Sequence, residues 1–204
     1  MYTGGPVACN GYLLEGVDGY VAIDAPEGFA NWIRQELRGE ESRLKHLLLT
    51  HQHFDHVQDA ALLQERTGCC IHACMPCDSS LTLERQAASW GIPPIRPYRV
   101  DDAFGAACTG ADWCGLAWRV HAIPGHSTDG VAYQLAAEKC LFVGDILFAG
   151  SVGRTDFPGG SQEMLLEGIR QKLLPEPPDT RIYSGHGPSS SLGEEILHNP
   201  WLSL

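Results

Sequence analysis

The sequence Thr50-His51-Gln52-His53-Phe54-Asp55-His56 directly follows an unbroken apolar run, Leu-Leu-Leu at residues 47–49. A run this short and this apolar is typical of a strand that is covered on both faces. In the extended stretch after it, residues two apart point the same way, so His51 and His53 can bind one cation. Where the chain then turns, Asp55 and His56 can reach a second position. A solvated turn that happens to hold three histidines is the alternative, and the adjoining buried strand disfavours it.

Three later places share one local form, in which a metal-competent residue follows a glycine. They are Pro124-Gly125-His126-Ser127, Val143-Gly144-Asp145 and Ser184-Gly185-His186-Gly187. Glycine lets the backbone bend sharply and approach a ligand closely. Each place alone is weak evidence, because a single histidine is more often structural than a ligand. Together with the first stretch they supply five histidines and two aspartates, which suits a pair of divalent ions with open positions for hydrolysis.

The rest of the chain mixes short strands with helices. Strands are predicted at residues 12–14, 20–23, 47–49, 116–123, 131–136, 140–143 and 182–183. Apolar residues at helical spacing predict helices at 29–37, 60–66 and 165–173, with Ser161 as the N-cap of the last one. Residues 88–112 are rich in Pro and Gly and are predicted to be mostly loop. We therefore expect a single domain, residues 1–204, with two similar halves at about 1–100 and 101–204.

Composition sets the broad class of the protein. The 204 residues are 44% hydrophobic and 19% charged, which allows a sizeable core and excludes a disordered chain. The formal net charge of −11 disfavours nucleic acid as a partner. No run reaches the roughly 18 apolar residues of a membrane span, and residues 1–10 lack the basic and apolar segments of a secretory signal. We therefore expect a cytoplasmic protein with no nucleic-acid or membrane partner.

The eight cysteines are expected to be free thiols, because a chain with this much core does not need a disulfide framework. Cys69, Cys70, Cys74 and Cys77 form a separate cluster, with His72 among them. The CxxC at 74–77 can be redox-active or bind zinc, but a structural zinc site needs a second ligand pair, and the sequence has no second CxxC. These cysteines are predicted to be ordinary residues of a strand and a loop, with an extra metal or redox site as the alternative.

The order HxHxDH, Gly-His, Gly-Asp and Gly-His-Gly resembles the metallo-β-lactamase fold superfamily over residues 23–187. The stretch LFVGDILFAGSVGRTDF at residues 141–157 is similar to the short glyoxalase II-like (hydroxyacylglutathione hydrolase-like) branch. The resemblance implies an α/β fold, an αββα four-layer sandwich with metals at one edge between the two halves. It also implies the ligands, with His51, His53 and His126 on the first metal, Asp55, His56 and His186 on the second, and Asp145 bridging both.

This resemblance implies a metal-dependent hydrolase of a small thioester such as a hydroxyacylglutathione. Two divalent ions, with zinc favoured and iron or manganese as alternatives, would lower the pKa of a bridging water and polarise the substrate carbonyl. The metal-bridging hydroxide then attacks and Asp55 orients it, so Asp55 and Asp145 are the expected catalytic carboxylates. A thiol leaving group, with a pKa of about 8.5, departs without a strong general acid.

A persulfide dioxygenase with one non-haem iron is the alternative function. Such enzymes belong to the same superfamily and carry a string similar to Gly-Arg-Thr-Asp-Phe at residues 153–157. Two histidines and one aspartate would hold the iron, matching His51, His126 and Asp145. Other small-molecule hydrolases share the fold. A β-lactamase is disfavoured because the common ones place Cys where Asp145 stands and lack a ligand at His56, and a non-catalytic metal-binding module is a further alternative.

Two residues are predicted to contact the substrate. Arg154 shortly follows Asp145, and the resemblance makes it an anchor for a substrate anion, with a salt bridge to Asp156 as the alternative. Tyr183 precedes the Gly-His-Gly turn and is predicted to line the pocket. Full glyoxalase II has a helical C-terminal region that holds glutathione, whereas this sequence ends 18 residues after His186, so we expect modest discrimination between glutathione thioesters and smaller ones. The remaining histidines are predicted to be structural or exposed: His46, His72, His121 and His198.

Overall fold

The computed structural model describes residues 1–202, so the last two residues of the predicted 1–204 domain lie outside the described part. The chain forms two compact units. The first comprises Met1–Gly105 with Trp113–Leu116, and the second comprises Ala106–Asp112 with the chain from Ala117 onwards. Each unit is built mainly on one six-stranded sheet. Each also has its own cluster of buried apolar side chains.

The first unit combines antiparallel and parallel strand pairing. Its strands are β1 (Tyr2–Gly4), β2 (Cys9–Glu15), β3 (Tyr20–Ile23), β4 (Leu44–Leu48), β5 (Cys70–Ala73) and β6 (Asp102–Ala103). Its helices are α1 (Phe29–Glu36), α2 (Phe54–Val57), α3 (Ala60–Thr67) and α4 (Glu84–Ser89), with a 3₁₀ turn at Glu41–Arg43. The sheet order is β1-β2-β3-β4-β5-β6; β1 to β3 pair antiparallel and β3 to β6 pair parallel. Strand β4 therefore lies inside the sheet, which explains why Leu44, Leu47 and Leu48 are buried.

The second unit has one parallel strand pair in a mainly antiparallel sheet. Its strands are β7 (Gly110–Trp113), β8 (Leu116–Ala122), β9 (Val131–Leu135), β10 (Cys140–Gly144), β11 (Leu147–Phe148), β12 (Ser151–Val152), β13 (Arg181–Ser184) and β14 (Ser190–Ser191). Its helices are α5 (Gln162–Lys172) and α6 (Leu192–His198). The sheet order is β14-β13-β10-β9-β8-β7, and β11 pairs with β12 as a separate hairpin. The parallel pair is β10 with β13.

Most predicted elements are confirmed, with ends that shift by up to three residues. Ser161 is the N-cap of α5, because its Oγ accepts a hydrogen bond from Met164 N at 3.3 Å. The prediction that residues 88–112 are mostly loop is confirmed, although the end of α4, the short strand β6 and most of β7 lie there. A strand of two to four residues shows no measurable periodicity, and only its partner strand defines it. After the predicted strand at 182–183, the structure adds β14 and α6, which were not predicted from the sequence. Within residues 1–202, no helix is long and apolar enough to cross a membrane.

Two histidines on neighbouring strands of the first unit contact each other. His46 Nδ1 on β4 lies 3.0 Å from His72 Nε2 on β5, and His72 Nδ1 lies 3.1 Å from Asp102 Oδ2. The ring of Trp113 packs against His72, with centroids 4.9 Å apart. Burial lowers the pKa of both histidines. At His46, the charges of His72 and Lys45 lower the pKa further, and the charge of Asp18 raises it. At His72, Asp102 and Asp101 raise the pKa, but burial has the larger effect.

We expect this histidine pair to make the fold less stable at acid pH. The folded pKa values lie below the unfolded value of about 6.5, so the folded state binds fewer protons than the unfolded state. The free energy of unfolding should therefore fall as the pH drops through this range. In denaturant titrations between about pH 7.5 and about pH 5.5, His72→Asn should reduce that fall.

His198→Asn is the control for this measurement, because the His198 side chain is 70% exposed. It should keep the pH dependence of the unsubstituted protein. If His72→Asn keeps this pH dependence as well, the histidine pair does not contribute to the loss of stability at acid pH.

Candidate metal centre

Residues 50–56 place four predicted ligands on one short segment of the first unit. Strand β4 ends at Leu48 and α2 begins after His53, so Asp55 and His56 lie on a single helical turn. His51 Nε2 lies 3.0 Å from His53 Nδ1, and His56 Nε2 lies 3.7 Å from Asp55 Oδ2. The three histidines are buried, and the Asp55 side chain is 10% exposed. The structure therefore brings these four side chains together.

The spacing of His51 and His53 fits a shared cation. Two zinc–nitrogen bonds of about 2.0–2.1 Å at a tetrahedral angle hold the two nitrogens about 3.3–3.4 Å apart. The observed separation of 3.0 Å needs to open by only a few tenths of an ångström. Neutral imidazole nitrogens and carboxylate oxygens are ligands that zinc, iron and manganese all accept.

A buried carboxylate orients two of these histidines. Asp24 follows β3 and accepts hydrogen bonds from Thr50 N, Thr50 Oγ1 and His56 Nδ1, each at 2.8 Å. Because a carboxylate only accepts, the proton of neutral His56 lies on Nδ1 and its lone pair on Nε2. Thr50 Oγ1 gives its own proton to Asp24, so it accepts from His51 Nδ1 at 3.2 Å. Both rings are therefore held in the tautomer that presents Nε2 to a metal.

The second unit gathers the other three predicted ligands. Strands β10 and β13 are parallel neighbours, and Gly185 N donates to Gly144 O at 2.8 Å just beyond them. Asp145 Oδ2 lies 3.5 Å from His126 Nε2 and 3.5 Å from His186 Nε2. One carboxylate oxygen therefore lies equally far from two imidazole nitrogens, and both are atom types that bind divalent metal ions.

Main-chain contacts fix the position of His126. Its Nδ1 donates to Arg154 O at 2.8 Å, and since a carbonyl only accepts, the lone pair lies on Nε2. Gly125 has φ +135°, and a Cβ there would lie 2.5 Å from Leu165 N in α5. A Cβ at Gly153 would overlap the carbonyl oxygen of Asp145. These two glycines allow the close backbone approach that holds this donor group together.

The two predicted substrate contacts have other neighbours in the structure. Arg154 Nε and Nη2 donate to Asp156 Oδ1 and Oδ2 at 2.6 and 2.7 Å, and the guanidinium lies 4.2 Å from the centroid of the Phe157 ring. The salt bridge that the sequence left open as an alternative is therefore present, and it lowers the pKa of Asp156 to about 2. Tyr183 stacks on Phe142, with centroids 5.0 Å apart. Substrate contact by Arg154 or Tyr183 stays a prediction.

Sequence reasoning missed two residues that lie beside the predicted ligands Asp55 and His56, namely Asp24 and Cys9. Asp24 directly follows the predicted strand at 20–23, and Asp145 comes one residue after the strand at 140–143, so this similarity could have identified Asp24. Cys9 begins β2 and is fully buried, and its Sγ lies within 4.8 Å of the ligand atoms of Asp55 and His56. Burial raises the pKa of the Cys9 thiol to about 12. A single cysteine at the start of a strand carries no sequence signal for such a position.

The other cysteine cluster does not form a ligand group. All eight cysteines are free of disulfide bonds, as expected. Within the described residues 1–202, the groups of three or more potential ligands include none of Cys69, Cys70, Cys74 and Cys77. Cys69 and Cys74 are buried, whereas Cys70 and Cys77 are exposed.

Comparison with known proteins agrees with the resemblance. A family model described as metallo-beta-lactamase superfamily matches residues 4–186. The hydroxyacylglutathione hydrolase GloC of Haemophilus influenzae is 36% identical over 184 residues, which are 89% of this chain and 87% of that protein. The crystal structure of the BLEG-1 B3 metallo-β-lactamase has a TM-score of 0.86 at 31% identity, covering 98% of this chain and 96% of that one. TTHA1623 in a di-iron-bound form has a TM-score of 0.85 at 34% identity, covering 98% of both chains. These likenesses confirm the predicted fold class.

We expect Asp24→Asn to weaken metal binding by about 10–100-fold, the usual cost of losing a partner that orients a ligand. The amide can no longer accept all three hydrogen bonds, so the tautomers of His51 and His56 are no longer fixed. Competition with a chromogenic chelator measures the change. Asp102→Asn is the matched control, because Asp102 contacts His72, outside both donor groups. Equal affinities in the two variants would contradict the orienting role.

Proposed function

Because the chain belongs to the metallo-β-lactamase superfamily, we propose that it is a metal-dependent hydrolase of small thioesters such as hydroxyacylglutathione. The observation that carries the substrate class is the 36% identity to a hydroxyacylglutathione hydrolase over 89% of the chain. The geometry of the two donor groups supports the metal-dependent chemistry, since each group presents nitrogen lone pairs beside a carboxylate.

The proposed ligands are the seven residues of the two donor groups. One ion would be held by three imidazoles and the other by two imidazoles and the Asp55 carboxylate, and the Asp145 carboxylate would serve both. The first set is His51, His53 and His126, and the second is Asp55, His56 and His186. Support for the shared role comes from Asp145 Oδ2, which lies equally far from His126 and His186. Zinc is the proposed ion, because nitrogen-rich sets with carboxylates suit it.

When bound, such divalent ions supply an activated water and polarise the substrate carbonyl. The protein's own part is to orient and to exclude solvent. Asp55 is proposed to accept a hydrogen bond from the attacking water at a carboxylate oxygen and so to aim it at the carbonyl. The low exposure of the surrounding histidines strengthens these electrostatic contacts. The departing thiol needs no separate proton donor, because its pKa is about 8.5.

Two alternatives have specific support. The likeness to the BLEG-1 B3 metallo-β-lactamase at 31% identity favours a test of β-lactam hydrolysis. The di-iron-bound form of TTHA1623 at 34% identity favours a test of iron as the bound ion. We expect elemental analysis of metal-reconstituted protein to find about two ions per chain. Assays with thioesters, β-lactams and a persulfide under oxygen should then give fastest turnover with the thioesters.

Asp145→Asn should lower kcat/KM for thioesters by more than about 100-fold. Loss of a residue that only orients a metal ligand usually costs about 10–100-fold, so a larger loss indicates a direct ligand. The amide keeps the shape of the side chain but removes the charge that both metals are proposed to share. Metal content per chain should fall in the same variant. Asp179→Asn is the control, because its side chain is 64% exposed and pairs with Lys139. A near-normal rate for Asp145→Asn in excess metal would exclude the bridging role.

Arg154 is proposed to bind an anionic group of the substrate, and Asp156 allows a direct test. Arg154→Ala should raise KM for anionic thioesters by about tenfold or more relative to neutral ones, the effect of losing a hydrogen bond to a charged group. Asp156→Ala removes the same salt bridge but keeps the guanidinium, so KM for anionic substrates should not rise. If both variants change KM alike, Arg154 serves only the salt bridge.

A further inference from the structure

Cys9 lies in surroundings unlike those of an ordinary core cysteine. It is the first residue of β2 and is fully buried. Its sulfur has the Asp55 carboxylate and the His56 imidazole as neighbours, with one ligand atom of each of the three residues within 4.8 Å of the others. Cys69 is almost as deeply buried, but it packs within the apolar cluster of the first unit. The two cysteines therefore have similar burial and different chemical surroundings.

The orientation of His56 makes this a set of donor atoms rather than a chance contact. The hydrogen bond from His56 Nδ1 to Asp24 places the lone pair on Nε2. That Nε2 lies 3.7 Å from Asp55 Oδ2. Sulfur, imidazole nitrogen and carboxylate oxygen are the three ligand types that zinc accepts from proteins. Zinc–ligand bonds of about 2.0–2.3 Å allow donor atoms to lie up to about 4 Å apart, so small side-chain movements would close this group on one ion.

We propose that Cys9 Sγ is an additional ligand of the metal ion held by Asp55 and His56. The inference rests on the proposed function, because it takes that ion from the proposed metal centre. As the sulfur–metal bond forms, the thiol proton leaves to solvent and Cys9 binds as the thiolate. A thiolate makes this position softer than a set of nitrogen and oxygen alone, so it favours zinc over manganese.

Cobalt substitution and zinc X-ray absorption of the intact protein test the proposal. Protein loaded with Co²⁺ should show a thiolate-to-cobalt charge-transfer band in the near ultraviolet, beside the visible bands of bound cobalt. Cys9→Ser should lose the charge-transfer band and keep the visible bands, whereas the matched variant Cys69→Ser should keep both. The zinc form should show a sulfur neighbour at about 2.3 Å, absent in Cys9→Ser. Zinc affinity should fall at least about tenfold in Cys9→Ser relative to Cys69→Ser.

The outcomes separate this proposal from the proposed function. Failure of the unsubstituted protein to bind cobalt or zinc would overturn the metal centre itself. Binding of both ions with no sulfur neighbour in the unsubstituted protein would leave the metal centre intact and overturn the role of Cys9. An unchanged charge-transfer band in Cys9→Ser would do the same. If Cys9→Ser does not fold, Cys9→Ala removes the donor atom without adding volume and takes its place in each comparison.

Discussion

The buried carboxylate of Asp24 is the contact on which the first donor group depends. The residue is 1% exposed, and a carboxylate at such depth costs several kcal/mol unless hydrogen bonds compensate it. Two donors of Thr50 and one of His56 supply those bonds. The same bonds decide which nitrogen of each metal-facing ring carries the proton. The stability of the fold and the readiness of the site for a cation therefore have one physical source.

Parallel strand pairing explains how both units assemble their donors. In the first unit, Asp24 follows β3 and the histidine segment follows β4, and these strands are parallel neighbours. In the second unit, Asp145 follows β10 and His186 comes after β13, again a parallel pair. The carboxyl ends of parallel neighbours meet at the same edge of a sheet, where open α/β folds bind their ligands. Residues far apart in sequence therefore meet without any long loop to carry them.

The sequence predicted what was local and missed what depends on pairing. His51, His126, Asp145 and His186 each stand in a short polar turn beside apolar strands or glycine, so each could be found from its neighbours. The main partners of Asp24 lie 26 and 32 residues away, and no periodicity reports a contact over that distance. Strand β6 has two residues and exists only through its pairing with β5. Local patterns predict secondary-structure elements and single candidate ligands, whereas contacts that orient those candidates depend on the tertiary fold.

The segment that begins at Gly153 supports His126 through its main chain, whereas the side chain of Arg154 makes other contacts. Gly153 lacks the Cβ that would overlap the carbonyl of Asp145, and the next carbonyl, Arg154 O, holds the ring of His126. These contacts are made by the backbone and do not depend on the side chain at 154. The guanidinium instead pairs with Asp156 and lies over Phe157. A side-chain substitution at 154 therefore leaves the support of His126 in place, and a change in substrate binding reports on the guanidinium or on its salt bridge with Asp156.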